Sequence, residues 1–376
     1  MEKQTSKSLI DHFNSITDPR IERTKLHLLI DIIVITICAV ICGAKTWESI
    51  ELVGKEKYEW FSKFLKLPNG IPSSDTFRRV FILLNPLQFK NCFLDWIKAI
   101  RNTIKGEIIP IDGKTLRRSF DKSSNKACIH MVSAWAGKNQ MVLGQIKTEE
   151  KSNEITAIPQ LLKLLEIENC IVTIDAMGCQ KDIAKDIIVG KGDYVLALKG
   201  NQGTLREETE SYFDYCIETN FKDVKYEYYK ESDVGHGRFE KREYWMATTL
   251  DWYVDRHLWN GLNAVVMVKA EREIDGKKTI ETRYYITSLS SDAKKVAEAV
   301  RSHWGIENSL HWVLDLTFRE DDCRMRVGDL PENFAMVRHI VLNLLKQEQS
   351  VKKSLVQKQF KAALSNEYLS KVFFGI

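Results

Sequence analysis

The 376-residue sequence contains no CxxC pair. Its eight cysteines (Cys38, Cys42, Cys92, Cys128, Cys170, Cys179, Cys216 and Cys323) are scattered along the chain. Zinc sites built on thiolates use short paired spacings, so none is expected. A chain of this size without a secretory signal pattern is expected in the cytoplasm with reduced thiols. Cys38 and Cys42, four apart in an apolar segment, read as small core residues. Long apolar runs are missing too. The uncharged stretch from Ile32 to Ala44 covers thirteen residues between Asp31 and Lys45, and a bilayer-spanning helix needs about 20. It reads as a buried core helix, and no membrane partner is expected. No internal repeat or low-complexity segment occurs. A large charge excess is also absent: the net charge is +4, which allows a nucleic-acid partner without requiring one.

What is present is ordinary globular material, with 44% apolar and 28% charged residues, nine Trp and sixteen Phe. The length suits two or three domains. Apolar spacing predicts helices over 28–42, 47–66, 75–83 and 86–103. Ser73, Ser74 or Asp75 would cap the third of these, whose Arg78 and Arg79 mark either a solvated edge or a DNA-facing helix. The pattern changes at Glu107. Strands are predicted at EIIPIDGK (107–114), CIHMVSAWA (128–136) and MVLGQIKT (141–148), with hairpin-length links. Helix, strand, helix, strand and helix follow over 154–218, an order that requires parallel neighbours. The result is a mixed sheet with helices on its faces. Four Tyr/Val/Thr-rich strands over 221–289, with turns at GHGR and DGKK, read as a β-rich insertion. Helices resume near Ser291 or Asp292 and again over 329–349.

Two aspartates stand at predicted strand ends, Asp112 in PIDGKT and Asp175 in VTIDAM. In an open sheet with crossover helices, ligands bind at the carboxyl ends of strands, and hard oxygen ligands suit Mg²⁺. The stretch HWGIENSLHWVLDLTFREDD (303–322) reads as one amphipathic helix on which His303, Glu307, His311 and Asp315 recur every four residues along one face. Glu307 would be a third ligand, carried to the sheet edge by that helix. Trp304 and Trp312 are assigned to its buried side.

The stretches IDGKTLRRS, EKSNEITAIPQLL, VTIDAMGCQKDIA, YVLALKGNQ, GHGRFEKRE and RSHWGIENSLHWVLDLTFREDD resemble the H-repeat-associated family of bacterial insertion-sequence transposases, of the DDE superfamily. DPR (18–20), GAKTWESIE (43–51) and NGIPSSDTFRRVF (69–81) resemble that family's N-terminal region. The resemblance implies an α/β, ribonuclease H-like fold. It implies a helical, DNA-binding region over 1–104 and a catalytic domain over 105–376, with 221–289 inserted before the last acidic residue. It implies Asp112, Asp175 and Glu307 as an acidic triad holding two Mg²⁺ ions about 3.5–4 Å apart, with Mn²⁺ as a substitute. The reaction implied is cleavage at element ends followed by attack of the freed 3′-OH on target DNA. The alternatives are an inactive or domesticated DNA-binding protein and a nuclease without strand transfer. Lys114, Arg117, Arg118, Lys199, Asn201 and Gln202 are candidate phosphate contacts. His311 and Asp315 are candidates to orient Glu307. The wider superfamily has Tyr-x-x-Arg before the glutamate and Lys seven residues after it. Here Val300, His303 and Leu314 stand at those places, with His303 or Arg301 as replacements for the arginine. Double-stranded DNA and a homodimer on paired element ends are the expected partners.

Overall fold

A computed structural model describes residues 8–100, 106–120, 127–148, 154–235 and 238–375. The end of the predicted 86–103 helix, the first residues of the EKSNEITAIPQLL stretch and part of the GHGR turn lie outside them. The first helices are α1 (Leu9–Phe13), α2 (Leu29–Ile41), α3 (Trp47–Glu56), α4 (Tyr58–Phe61), α5 (Ser74–Leu83) and α6 (Pro86–Ile100). Ser73 caps α5 by accepting from the Thr76 amide, as its sequence predicts. The long apolar run forms α2, whose residues Ile32 to Ile41 are all buried. Among the described residues no helix is long and apolar enough to cross a membrane.

One nine-stranded sheet follows, in the order β3-β2-β1-β4-β5-β9-β8-β7-β6. Its strands are β1 (Ile108–Leu116), β2 (Ile129–Ala136), β3 (Met141–Lys147), β4 (Ile171–Ile174), β5 (Asp193–Leu198), β6 (Tyr226–Gly235), β7 (Arg238–Ala247), β8 (Ala264–Ile274) and β9 (Lys277–Thr287). β1 pairs antiparallel with β2 and parallel with β4, and β4 runs parallel to β5, as the hairpin and crossover lengths predict. β9 adds antiparallel to β5, so the stretch expected as an insertion continues the central sheet. The predicted end of the first strand is overturned. β1 does not stop at Asp112–Gly113, because its ladder with β2 carries it to Leu116.

Helices α7 (Glu154–Leu164), α8 (Lys181–Val189) and α9 (Gly203–Glu218) pack on one face of the sheet. α10 (Ala293–Ile306) covers the other, where Val296, Ala297 and Val300 meet Ile108, Ile171 and Val195. A short α11 (Trp312–Leu316) continues it. The chain ends in α12 (Leu330–Gln347), α13 (Leu355–Leu364) and α14 (Asn366–Phe374). α12 packs on α2, α5, α6 and β3, so the N-terminal helices share a core with the C-terminal ones.

Two buried asparagines on α12 make these seams specific. Asn343 accepts from the Val142 amide and donates to the Val142 carbonyl on edge strand β3, at 2.8 and 3.0 Å. Asn333 donates to the Phe81 and Leu84 carbonyls at 3.0 and 2.8 Å, serving groups that the end of α5 leaves without helical partners. Replacing Asn333 with Leu is expected to cost about 2–4 kcal/mol by orphaning both carbonyls. Chemical denaturation would measure it, and an unchanged midpoint would show that the seam does not depend on this tether.

Candidate active site

Alternation along the strands places the two aspartates. β1 and β4 pair in parallel up to Ile111 opposite Ile174, so Asp112 and Asp175 are level on neighbouring chains. Side chains two apart share a face. Ile108 and Ile171 face α10, and therefore Asp112 and Asp175 do as well. Both line a cleft of about 540 Å³ together with Thr173, Lys199, Arg206, Arg283, His303, Trp304 and Glu307.

The row of four polar residues comes from the elements covering this face. His303 lies 3.2 Å from the Thr173 hydroxyl, His311 Nδ1 lies 3.4 Å from Asp112 Oδ2, and Asp315 accepts from Lys114 at 2.5 Å. The predicted single helix is broken here. α10 ends at Ile306, residues Glu307–His311 form a π turn, and α11 follows only to Leu316. With about 3.6 residues per α turn, each four-residue step drifts about 40°. Three steps would carry Asp315 far off the face that His303 occupies. The wider π turn takes up an extra residue and reverses part of that drift. Glu307 opens that turn.

Gly113 sits inside β1. A Cβ there would lie 2.2 Å from Glu154 Oε1 and 2.3 Å from His130 Nε2. The glycine lets the Glu154–His130 pair, 2.8 Å apart, close against the far side of the strand from Asp112. Nothing in the periodicity pointed to that pair. Burial pushes the Asp112 carboxyl up to about 7, and the charges of Glu154, Asp175 and Glu307 add to the rise against the opposing Gly113 amide. Burial, with help from the Lys114 charge, pushes the His311 imidazole down to about 4. It faces Asp112 as a neutral ring.

The other expected contacts separate. Lys114 is only 11% exposed and binds Asp315, Glu320 and Asp321. Burial alone would lower its pKa, but the Glu320 and Asp315 charges hold it above the usual value. Glu320 in turn meets buried Arg338 at 3.3 Å. Lys114 therefore anchors the loop after α11 and does not stand open to a phosphate. Asn201 donates to the Ala176 carbonyl, and Gln202 donates to the Cys179 carbonyl at 3.0 Å. Both hold the loop that carries Asp175. Lys199 lines the cleft. Arg117 and Arg118 are exposed and touch Asp321 and Asp322. Arg301 points toward Glu231, 3.9 Å away, outside the cleft lining. The partners of His311 and Asp315 are Asp112 and Lys114, where Glu307 was expected. Trp304 and Trp312 are 49% and 60% exposed, against the expectation that they are core. Trp304 lines the rim of the cleft, and Arg283 lies over its ring at 4.8 Å. Arg206 and Arg283 were not anticipated. One heads α9 and the other lies on β9, and only the sheet order brings them to this cleft.

Among the described residues, no three Asp, Glu, His or Cys side chains stand close enough together to hold an ion as placed. Asp175 Oδ1 accepts instead from the Met177 and Gly178 amides of its own loop, at 3.0 and 3.4 Å. The donor set still fits a hard divalent cation in kind: carboxyl oxygens on one cleft, crowded so that the Asp112 group is pushed up to about 7 by burial and by the charges of Glu154, Asp175 and Glu307, a repulsion that a bound cation would relieve.

This frame defines the class. Residues 104–344 match the model of the transposase DDE domain, and residues 10–97 match that of the DDE_Tnp_1-associated region. The chain belongs to the DDE-domain transposase family. It is 43% identical to "Putative transposase YncI" of Escherichia coli O157:H7, over 97% of this chain and 94% of that protein. It is 41% identical to "H repeat-associated putative transposase YhhI" of Escherichia coli K12, over 98% of each. Among solved structures, a piggyBac transposase synaptic complex with hairpin DNA aligns at TM-score 0.43 and 12% identity, over 94% of this chain and 75% of that one.

A carboxyl whose folded pKa is raised contributes stability below its ordinary value near 3.8, and loses it as pH climbs toward about 7. Asp112→Asn is therefore expected to melt higher than the parent at pH 8 without divalent metal, with a smaller margin at pH 5. A margin that stays flat with pH would contradict a buried, crowded carboxyl. Gly113→Ala is expected to cost about 1–3 kcal/mol through overpacking, and denaturant midpoints would measure the loss.

Proposed function

We propose that the chain cleaves DNA at the ends of its own mobile element and joins the freed 3′-hydroxyl to target DNA, using β1–β5 as a ribonuclease H-like core. The observation that supports this most is the level placement of Asp112 and Asp175 on adjacent parallel strands, beneath the turn bearing Glu307. Asp112, Asp175 and Glu307 are the residues to hold divalent cations, Mg²⁺ or Mn²⁺. Such ions supply the charge that activates an attacking oxygen and stabilises a leaving one. The chain's own groups do the rest. Asp175 swings away from its Met177 and Gly178 amides by a side-chain rotation. His311, neutral beside Asp112, keeps that carboxylate oriented without competing for it as a cation. Lys199, Arg206 and Arg283 receive the phosphates of the strand being cut. Trp304 forms one wall. The N-terminal helical region, 1–104, contributes DNA binding, and two copies act together on paired ends.

Full-length protein would be incubated with duplexes carrying the inverted repeats that flank its gene. Nicking at the repeat boundary with Mg²⁺ or Mn²⁺, followed by joining to a second duplex, is the expected outcome. Asp112→Asn, Asp175→Asn and Glu307→Gln should each lower cleavage at least about a hundredfold while still binding DNA. Cutting without any joined product would make the protein a nuclease, and binding without metal-dependent cutting would reduce it to a DNA-binding relative. Added Mn²⁺ should also raise the melting temperature of the parent at pH 8, and not that of the Asp175→Asn, Glu307→Gln double variant.

A further inference from the structure

A second cleft, of about 810 Å³, lies between α3, α5 and the segment joining α11 to α12. Seven cations line it: Arg338, buried and paired with Glu320 at 3.3 Å, and six others, Lys45, Arg78, Arg118, Arg319, Arg324 and Arg326. The lining carboxylates are Glu48 and Asp322, and Asp322 is already shared by Arg319 at 2.9 Å and Arg118 at 3.8 Å. The positive charges crowd one another. Burial lowers the Lys45 pKa, and the nearby Arg319 charge lowers it further. A cleft holding more cations than anions in partly desolvated surroundings favours an anionic ligand.

We infer that this groove grips the sugar-phosphate backbone of duplex DNA outside the acidic cleft, an inference that rests on the DNA reaction proposed above. Three observations favour a duplex backbone. The cations come from separate segments (45, 78, 118 and 319–326) and so form a broad surface, where a small anion would need one tight cradle. The lining aromatics Trp47 and Phe318 are buried, which leaves no open ring to stack an unpaired base. The groove is also coupled in space to the acidic cleft. Asp112 and Arg118 are six residues apart along β1 and the turn after it, hence at most about 20 Å. Phosphates on one strand recur about every 3.4 Å along the axis, so the groove meets the backbone within about six nucleotides of the cut.

The test uses full-length protein in EDTA, so that binding is read without cutting. The probes are a fluorescent random-sequence duplex of about 40 base pairs and a single strand of equal length. Arg78→Ala with Arg324→Ala should weaken duplex binding at least about tenfold and flatten the slope of log affinity against log salt by about 2. The pair Arg78→Lys with Arg324→Lys should keep the parental slope. Lys45→Ala with Arg118→Ala is a second pair with the same expected loss, in case the first does not fold. Parental affinity and slope in a folded alanine pair overturn the inference, as does an equal loss on the single strand alone. The two readings fail separately. A groove-dependent slope in a protein that never cuts removes only the catalytic proposal, and normal cutting with groove-independent binding removes only this one.

Discussion

β1 and the α10–α11 segment run side by side, and their repeats match. Two residues of strand advance about 6.6 Å, and four residues of helix advance about 6.0 Å. A polar group at every second strand position therefore meets a polar group at every fourth helical position. On β1 Asp112 meets His311 and Lys114 meets Asp315, and on the neighbouring β4 Thr173 meets His303. The charged row on the helix would be costly against an apolar sheet. Here three of its four members are answered by polar groups of the sheet, and the π turn at Glu307–His311 lies between the His303 contact and the His311 one. Everything proposed for the acidic cleft depends on that match.

The lower rungs are neutralised internally and the upper ones are not. Lys114, Glu320 and Arg338 form a buried chain of opposite charges, and that chain fastens the loop leading from the acidic cleft to the basic groove. Asp112 has no such cation. It meets the neutral His311 ring on one side and the Glu154 charge through Gly113 on the other. A carboxyl kept in that setting costs stability, and such costs gather at sites where a ligand is to be met.

Much of the architecture was legible. Hairpin-length links gave antiparallel β1–β3 and crossover helices gave parallel β4 and β5, because connection length limits strand direction. The four strands of 221–289 were readable from alternation. The placement of Asp112 and Asp175 at one edge of the sheet was readable because carboxylates rarely follow apolar runs without cause. Misreadings arose where a partner element decides. Asp112–Gly113 is a common turn pair, yet β2 extends the strand through it. Asn201 and Gln202 have the chemistry of phosphate contacts, and the fold adds what their sequence does not show, that each donates to a neighbouring carbonyl, of Ala176 and Cys179. Trp304 and Trp312 have the size of core residues, but they stand on the exposed sides of α10 and α11.

The sequence by itself determined the alternating strands, the capped helices, the acidic residues and the family they resemble, since these are local patterns of period two and 3.6 and of residue type. Only the tertiary structure decided that Asp112 and Asp175 stand level, that Lys114 is committed to a buried ion network, that the late strands extend the central sheet, and that seven cations from distant segments line one groove. Those outcomes depend on register and on which surfaces meet. Side-chain chemistry leaves several such pairings open until packing selects one.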